Sequence, residues 1–192
     1  MKNSFDVINY LITTYNYKSY LEIGVRENCG LLSIDHINCQ HKDGVDIIPG
    51  RSNYTMSSDK FFNSIPNSQM YDIIFVDGDH EKNQVLRDIE NSIKHLNKGG
   101  TIICHDINPP EEFHLAPRYC NNCWEAWVEF RSTRLDLEMY ALSIDLGPGI
   151  IRKGNQNIYK ENIEYNWEYL NNNRKKLLNV INIEEFKTIF KS

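Results

Sequence analysis

Residues 71–80 read Tyr71-Asp-Ile-Ile-Phe-Val-Asp-Gly-Asp-His80, and this stretch decides the fold. Residues 73–76 form an uninterrupted apolar run, which is typical of a strand buried on both faces of a parallel sheet. The run ends in two carboxylates and an imidazole, at Asp77, Asp79 and His80. Ligands bind at the carboxyl ends of strands in open α/β sheets, and an ordinary turn does not need this many polar groups. The stretch therefore predicts a buried strand that carries functional groups to a ligand site.

Length, charge and cysteine content limit the class of protein. A chain of 192 residues with 41% hydrophobic content can bury the core of one α/β domain. Its net charge of −5 argues against a general nucleic-acid binder. It has no apolar run of membrane-spanning length and no apolar stretch typical of a signal peptide at its start, so we expect a cytoplasmic protein without a membrane partner. Five scattered cysteines favour reduced thiols over a disulfide framework.

Strand and helix signals alternate along the chain. This alternation predicts a Rossmann-like, doubly wound sheet of seven strands, mostly parallel with a C-terminal antiparallel hairpin, and helices on both faces. We expect a single domain with an opening helix (1–17), a core (18–152) and a helical C-terminal extension (153–192). Strands are predicted at 19–23, 43–48, 54–57, 73–76 and 101–104, a closing hairpin at 137–144 and 149–152, and helices at 27–36, 58–62, 85–96, 122–131, 163–179 and 183–190.

Acidic residues recur at the ends of the predicted strands. Glu22, Asp46, Asp77 and Asp106 follow or close the first, second, fourth and fifth strands. Any one of them fits an ordinary role in a helix cap or a turn. Four acids along one edge of a sheet favour a binding site over packing alone.

Several motifs together resemble the class I S-adenosylmethionine-dependent methyltransferases over residues 18 to about 152. The series is most similar to a subgroup of small enzymes whose fourth strand ends in Asp-Gly-x-His, among them sugar, macrolide and catechol O-methyltransferases. The motifs that carry the resemblance are Leu21-Glu-Ile-Gly-Val25 with Gly30, Gly44-Val-Asp46, Ser58-Asp59, Val76-Asp-Gly-Asp-His80, Asp88-Ile89, Gly99-Gly100 and His105-Asp106.

The resemblance implies a binding site for S-adenosylmethionine. It assigns Asp46 to the ribose hydroxyls and places Ser58 and Asp59 beside the adenine ring. On physical grounds, Gly24 allows close backbone approach, and the N-terminus of the helix expected after it offers free N–H donors. The spacing from Gly24 to Gly30 departs from the phosphate-binding fingerprint of nicotinamide enzymes. The full predicted cofactor set is Glu22, Gly24, Val25, Gly30, Asp46, Ser58, Asp59 and Asp77.

Methyl transfer to oxygen requires an aligned and nucleophilic acceptor. His80 is the candidate base because imidazole titrates near neutral pH, and Asp77 is its predicted catalytic neighbour. A divalent metal such as Mg²⁺ would activate a weakly acidic hydroxyl, and Asp77 and Asp106 offer oxygen ligands at neighbouring strand ends. Metal-dependent relatives carry adjacent Asp-Asn after the fifth strand. Here Ile107 intervenes, so Asn108 or Asp79 is left as the third ligand.

Three functional classes remain open from the sequence. The favoured one is an O-methyltransferase that acts on a small-molecule or glycan acceptor. In a nucleotide-sugar glycosyltransferase, Asp77-Gly78-Asp79 would be a metal-binding Asp-x-Asp, although that leaves Glu22 and Asp46 without roles. The third class is a non-catalytic binding protein with the same fold. The sequence does not identify the acceptor, and it leaves open a homodimer that completes the pocket.

Overall fold

The computed structural model describes residues 1–191 and contains one large sheet flanked by helices. The strands are β1 (Ser19–Ile23), β2 (Glu27–Asn28), β3 (Leu31–Leu32), β4 (His41–Asp46), β5 (Tyr54–Thr55), β6 (Tyr71–Val76), β7 (Leu96–Cys104), β8 (Leu137–Leu142), β9 (Gly149–Lys153) and β10 (Val180–Ile181). The α-helices are α1 (Ser4–Tyr15), α2 (Ser58–Ser64), α3 (Lys82–Lys94), α4 (Cys123–Thr133), α5 (Trp167–Leu177) and α6 (Ile183–Ile189), and Ser33–His36 and Glu112–Leu115 form 3₁₀ turns.

The sheet order is β10-β8-β9-β7-β6-β1-β4-β5. Strands β7, β6, β1, β4 and β5 run parallel, while β9 is antiparallel to both β7 and β8. The predicted Rossmann-like class with its C-terminal antiparallel hairpin is confirmed. The large sheet has eight strands where seven were expected, because the tail adds β10 parallel to β8. The left-handed backbone of Asn179 turns the chain between α5 and this short strand.

Helices cover both faces of the sheet and bury two apolar clusters. Helices α1 and α6 pack on one face, and α2, α3, α4 and α5 contribute to the core on the other. Helix α1 forms because its buried apolar residues recur at helical spacing, at positions 7, 8, 11 and 12. Asn3 caps its first turn, and left-handed Asn16 ends it. None of the helices within residues 1–191 has the length and apolar character that crossing a membrane requires.

The helix expected at residues 27–36 is wrong. Strands β2 and β3 form a two-stranded hairpin there, and a 3₁₀ turn follows. Cys29 and Gly30 have φ values of 51° and 81°, and two consecutive left-handed residues suit the tight turn of a hairpin. This segment therefore has no α-helix N-terminus that could offer the free N–H donors expected after β1.

Gly24 lies where the end of β1 meets the end of β6. Its φ is +84°, and a Cβ at this position would lie 2.1 Å from the carbonyl oxygen of Asp77. The Asp77 amide donates to the Ile23 carbonyl at 2.8 Å, so the two strand ends are held in direct contact. Only a residue without a side chain fits between them.

Gly24→Ala should destabilise the protein much more than Gly30→Ala. Both glycines have a left-handed backbone, which costs an alanine about 1–2 kcal/mol. A Cβ on Gly30 meets nothing within 4 Å, so Gly30→Ala isolates this backbone strain, whereas Gly24→Ala adds the clash with Asp77. Urea unfolding of the two variants measures the difference. Equal losses in the free energy of unfolding would contradict the proposed contact.

Candidate active site

A cavity of about 580 Å³ opens at the carboxyl ends of β1, β4 and β6. This is the edge of the sheet at which the sequence places its acidic residues. The predicted cofactor residues that line it are Gly24, Val25, Asp46, Ser58 and Asp77. His80 and Asp79 also lie in its wall. The cavity therefore brings the predicted cofactor residues of four separate segments together with the predicted base.

Asp46 organises one side of this cavity. Its Oδ2 accepts from the Val25 amide at 2.9 Å, and its Oδ1 accepts from the Ile48 amide at 2.6 Å. These bonds fix the carboxylate between the ends of β1 and β4. Ile47 and Ile48 line the cavity next to it and are 73% and 43% exposed. Sequence reasoning missed this apolar wall, although two isoleucines directly after a strand-end acid are a visible signal.

Glu22 does not reach the cavity. It is fully buried and accepts hydrogen bonds from the hydroxyls of Tyr20 and Ser33. The Ser33 hydroxyl also accepts from the Arg26 amide at 2.9 Å. Glu22 therefore helps to orient the segment after β1 through Ser33. Burial raises the pKa of Glu22 to about 7, against the opposing effect of its two hydroxyl partners. Its position supports a role in shaping the loop rather than direct contact with a ligand.

Two further predicted cofactor residues lie outside the cavity wall. Gly30 occupies the turn of the β2–β3 hairpin, where a Cβ would have no neighbouring atom within 4 Å. The Asp59 carboxylate contacts Arg87 Nε at 3.4 Å. Ser58, its neighbour, lines the cavity. The backbone at the start of α2 thus directs Ser58 inward and leaves Asp59 paired on the outer side.

Asp77, His80 and Asp106 form a compact cluster beside the cavity. His80 Nε2 lies 3.5 Å from Asp77 Oδ1, and His80 Nδ1 lies 3.2 Å from Asp106 Oδ2. Strands β6 and β7 pair in parallel with Val76 opposite Cys104, which places the residues that follow them side by side. The three side chains each offer a ligand atom within 4.8 Å of the others. Their geometry fits a divalent cation, since carboxylates and imidazole are ligands such ions accept.

Asp106 reaches the cluster through an unusual backbone conformation. Its φ is +62°, in the left-handed region that few residues other than glycine adopt. Such strain persists only where the surrounding structure enforces it, and it concentrates at functional sites. Asp106 is buried, and it also accepts from the Cys120 thiol, with an Sγ–Oδ1 distance of 3.5 Å.

Sequence reasoning gave no role to His105, which lies among three carboxylates. Its Nδ1 is 3.4 Å from Asp77 and 3.1 Å from Asp106, and its Nε2 is 3.4 Å from Asp145. Asp145 also accepts from the Ser4 hydroxyl at 3.1 Å, which ties the cluster to the start of α1. The signal in the sequence was the position of His105 at a strand end, directly before Asp106.

The charges of the cluster depend on one another. Burial opposes ionisation of Asp77, yet the neighbouring His105 and His80 hold the pKa of its carboxyl well below the usual range. Burial also disfavours the His80 imidazolium, but its contacts with Asp77, the Tyr119 carbonyl and Asp106 raise the His80 pKa to about 9. The pKa of buried His105 is raised well above its ordinary value, chiefly by the charge of Asp77. Both shifts favour the imidazolium forms, because the neighbouring carboxylates attract positive charge.

Asn108 and Asp79, the two candidates for a third oxygen ligand, have other partners. The Asn108 side-chain oxygen accepts from Arg174 of α5, which also donates to the Pro109 carbonyl at 2.7 Å. Asp79 Oδ1 accepts from the Glu81 amide at 3.1 Å and so supports the turn before α3. Among residues 1–191, the group able to hold a metal ion contains His80 instead of either.

Comparisons with known proteins agree with this architecture. Residues 20–107 match a protein family described as a methyltransferase domain. No curated protein sequence matches the chain. Together with the strand order, the family match indicates a class I S-adenosylmethionine-dependent methyltransferase domain over residues 20–107.

Three solved structures show the same fold at low identity. A candidate O-methyltransferase from Klebsiella pneumoniae is 14% identical, with a TM-score of 0.59 over 79% of this chain and 80% of that one. A candidate caffeoyl-CoA O-methyltransferase from Staphylococcus aureus is 18% identical, with a TM-score of 0.54 over 79% and 83%. The MycE methyltransferase of mycinamycin biosynthesis, in complex with Mg, S-adenosylhomocysteine (SAH) and mycinamycin VI, is 14% identical, with a TM-score of 0.50 over 78% and 49%.

Glu22→Gln should remove a pH-dependent loss of stability. The pKa of Glu22 is about 7 in the folded protein, against an ordinary value of 4.5, so the folded state holds this proton more tightly than the unfolded state. The stability that this proton contributes is present below pH 4.5 and is lost as the pH rises to about 7. The free energy of unfolding of Glu22→Gln relative to the wild type should therefore increase by up to about 3 kcal/mol between pH 4.5 and pH 8.

Urea unfolding of the wild type and of Glu22→Gln across this pH range makes the comparison. A stability difference that stays constant with pH would show that buried Glu22 does not hold a proton in the folded state.

Proposed function

We propose that this protein is an O-methyltransferase that transfers the methyl group of S-adenosylmethionine to a hydroxyl of a small molecule or glycan. The observation that carries the proposal is the arrangement of one cavity. Asp46 lines it together with Asp77 and His80 of the Asp77–His80–Asp106 cluster. A cofactor that extends from Asp46 to this cluster would present its reactive methyl group to an acid–imidazole cluster, where an acceptor hydroxyl can be aligned and deprotonated.

The walls of the cavity suit an adenosyl group. The Asp46 carboxylate, already fixed by two backbone amides, is placed to accept from a ribose diol. Ile47, Ile48 and Met56 supply apolar surface for a flat purine, and Ser58 offers a hydroxyl beside it. The lining carries Asp46, Asp77 and Asp79, which can attract a sulfonium cation, together with Arg26, Arg51 and Arg118.

His80 is the proposed base because its imidazole lines the cavity and contacts the cluster. A base must be neutral to accept a proton, and the contacts with Asp77 and Asp106 that help raise the His80 pKa to about 9 favour its protonated form. The negative charge of Asp77 and Asp106 must therefore be balanced during the reaction. Tyr119 orients the ring, since its carbonyl oxygen lies 2.5 Å from His80 Nδ1.

Asp77 and Asp106 would hold a divalent metal ion such as Mg²⁺. The two carboxylates lie at neighbouring strand ends beside His80, and Asp77 lines the cavity. When bound, such an ion lowers the pKa of a coordinated hydroxyl and balances the carboxylate charge. The complex of MycE with Mg supports this assignment by analogy of fold. Asn108, the predicted third ligand, bonds Arg174 instead and so helps to fix the loop after Asp106.

The glycosyltransferase alternative assigns a metal to Asp77 and Asp79 together. Asp79 is exposed and bonded to the backbone of its own turn, and it is not part of the metal-capable group. Asp106 and His80, instead of Asp79, lie close enough to Asp77 to share a metal ion with it. The side chains therefore favour the methyltransferase arrangement.

Asp46→Asn should weaken binding of SAH by about tenfold to a hundredfold. The substitution keeps the size of the side chain and removes the charge that strengthens hydrogen bonds from a ribose diol. Asp6→Asn is the matched control, because Asp6 lies in the first turn of α1, outside the cavity. Isothermal titration calorimetry measures both. Selective binding of UDP- or GDP-sugars in place of SAH would overturn the methyltransferase proposal.

His80→Gln should reduce methyl transfer at least a hundredfold while leaving SAH affinity nearly unchanged. Glutamine keeps hydrogen-bonding capacity in the cluster but cannot act as a base. Turnover is measured by mass spectrometry on a panel of hydroxylated acceptors that the wild type methylates, with His36→Gln as a control on α1's side of the sheet. Unchanged turnover in His80→Gln would assign the base elsewhere.

Asp106→Asn should remove a site for Mn²⁺, used as a paramagnetic substitute for Mg²⁺. The loss of one buried carboxylate removes both a ligand and the charge that attracts the ion. Asp79→Asn should leave Mn²⁺ affinity within about twofold, because Asp79 is outside the cluster. Electron paramagnetic resonance titration reads the free ion. Loss of the site in Asp79→Asn with retention in Asp106→Asn would support the Asp-x-Asp alternative.

A further inference from the structure

A second cavity, of about 300 Å³, lies apart from the candidate active site and shares no lining residue with it. Its walls come from the end of α4, from β8, from the segment after β9 and from the residue before β10. The volume is at the lower end of the range for small-molecule sites. The residues that line it are Arg131, Glu138, Met139, Tyr140, Asn155, Gln156, Asn157 and Asn179.

Arg131 is the unusual member of this wall, because it is a buried charge without a countercharge. It is only 6% exposed. Its Nη1 donates to the Gln156 side chain and to the Asn157 carbonyl, the latter at 3.3 Å, while its buried Nε has no hydrogen-bond partner. No carboxylate within residues 1–191 lies at ion-pair distance from it. Burial lowers the pKa of Arg131, as expected for a guanidinium removed from water without an acidic partner.

Arg134, about one helical turn further on, provides a comparison, because its guanidinium is fully paired with carboxylates. Its Nε and Nη2 donate to the two carboxylate oxygens of Asp136, both at 2.8 Å. Its Nη1 pairs with Glu90 at 2.5 Å. The Nε–Nη2 edge is the flat edge that binds a carboxylate through two parallel hydrogen bonds. In Arg131 this edge makes no hydrogen bond with any residue of the described chain.

We propose that this cavity binds a small hydroxylated carboxylic acid, such as a sugar acid, at the guanidinium of Arg131, whose Nη2 and buried Nε make no hydrogen bond within residues 1–191. A planar carboxylate matches the edge that these two atoms form in the way that Asp136 matches Arg134. Such a ligand supplies the countercharge that the buried guanidinium lacks, and a buried charge is strongly stabilised by pairing.

The rest of the cavity explains why hydroxyl groups belong to the ligand. The side-chain amides of Asn155 and Asn157 line the cavity and make no hydrogen bond with another described residue, so they offer both donors and acceptors. Glu138 lies in the same wall, where it accepts from the Tyr140 hydroxyl at 2.9 Å. This carboxylate accepts from a ligand hydroxyl but repels a compact, highly charged anion. The site therefore favours a sugar acid over inorganic phosphate.

The test uses D-glucuronate and D-galacturonate as probes of the wild-type protein, with D-glucose and inorganic phosphate for comparison. Calorimetry should show saturable binding of at least one uronate and binding at least about tenfold weaker for glucose and phosphate. The arginine Nε–H resonance of Arg131 should move in proportion to uronate occupancy. This signal is read in the unaltered chain, so it does not depend on whether a variant folds.

Arg131→Lys keeps the positive charge and removes the flat edge, so uronate affinity should fall at least about tenfold. Arg134→Lys is the matched control and should leave uronate affinity unchanged, because Arg134 is engaged with Asp136 and Glu90. Three results would overturn the proposal: no saturable uronate binding, binding that Arg131→Lys does not weaken, or phosphate that binds as tightly as the uronates. SAH affinity is independent of all three, since the two cavities are separate.

Discussion

The contact between Gly24 and the backbone of Asp77 determines the shape of the functional edge. Because no side chain separates the ends of β1 and β6, the Ile23 carbonyl bonds the Asp77 amide, and the Gly24 amide bonds the Val45 carbonyl of β4. Three parallel strands thus end at one level. The residues that follow them form one continuous wall, in which Asp46 and Asp77 face the same cavity. The site is a consequence of how closely these strand ends approach.

A second consequence is the concentration of buried charge beyond this edge. Asp77, His105 and Asp106 are all nearly inaccessible, and such groups are stable only when they compensate one another. His105 links them to Asp145, and Asp145 links them to α1 through Ser4. A cation bound by the carboxylates would therefore change the electrostatic environment of His105 and, through it, of Asp145 in the turn after β8. Direct contacts thus connect the buried charges beside the cavity to helix α1.

The sequence predicted the fold well where side-chain patterns are local. The apolar run before Asp77 identified the central strand, and pairing of β6 with β7 confirmed that Asp77 and Asp106 lie at neighbouring strand ends. The helix at 27–36 was wrong because the turn at Gly30 outweighs a weak helical pattern. Other features depend on distant contacts that no local pattern contains. Asp145 reaches His105 from 40 residues away, and the Ser33 hydroxyl donates to buried Glu22 from 11 residues away.

The most direct test of the central claim is a crystal structure of the protein with SAH. We predict that the adenosyl group lies against Asp46 and the Ile47–Ile48 wall, with the sulfur directed towards Asp77 and His80. A homocysteine moiety that points away from the Asp77–His80–Asp106 cluster, or a ligand bound outside this cavity, would contradict that claim.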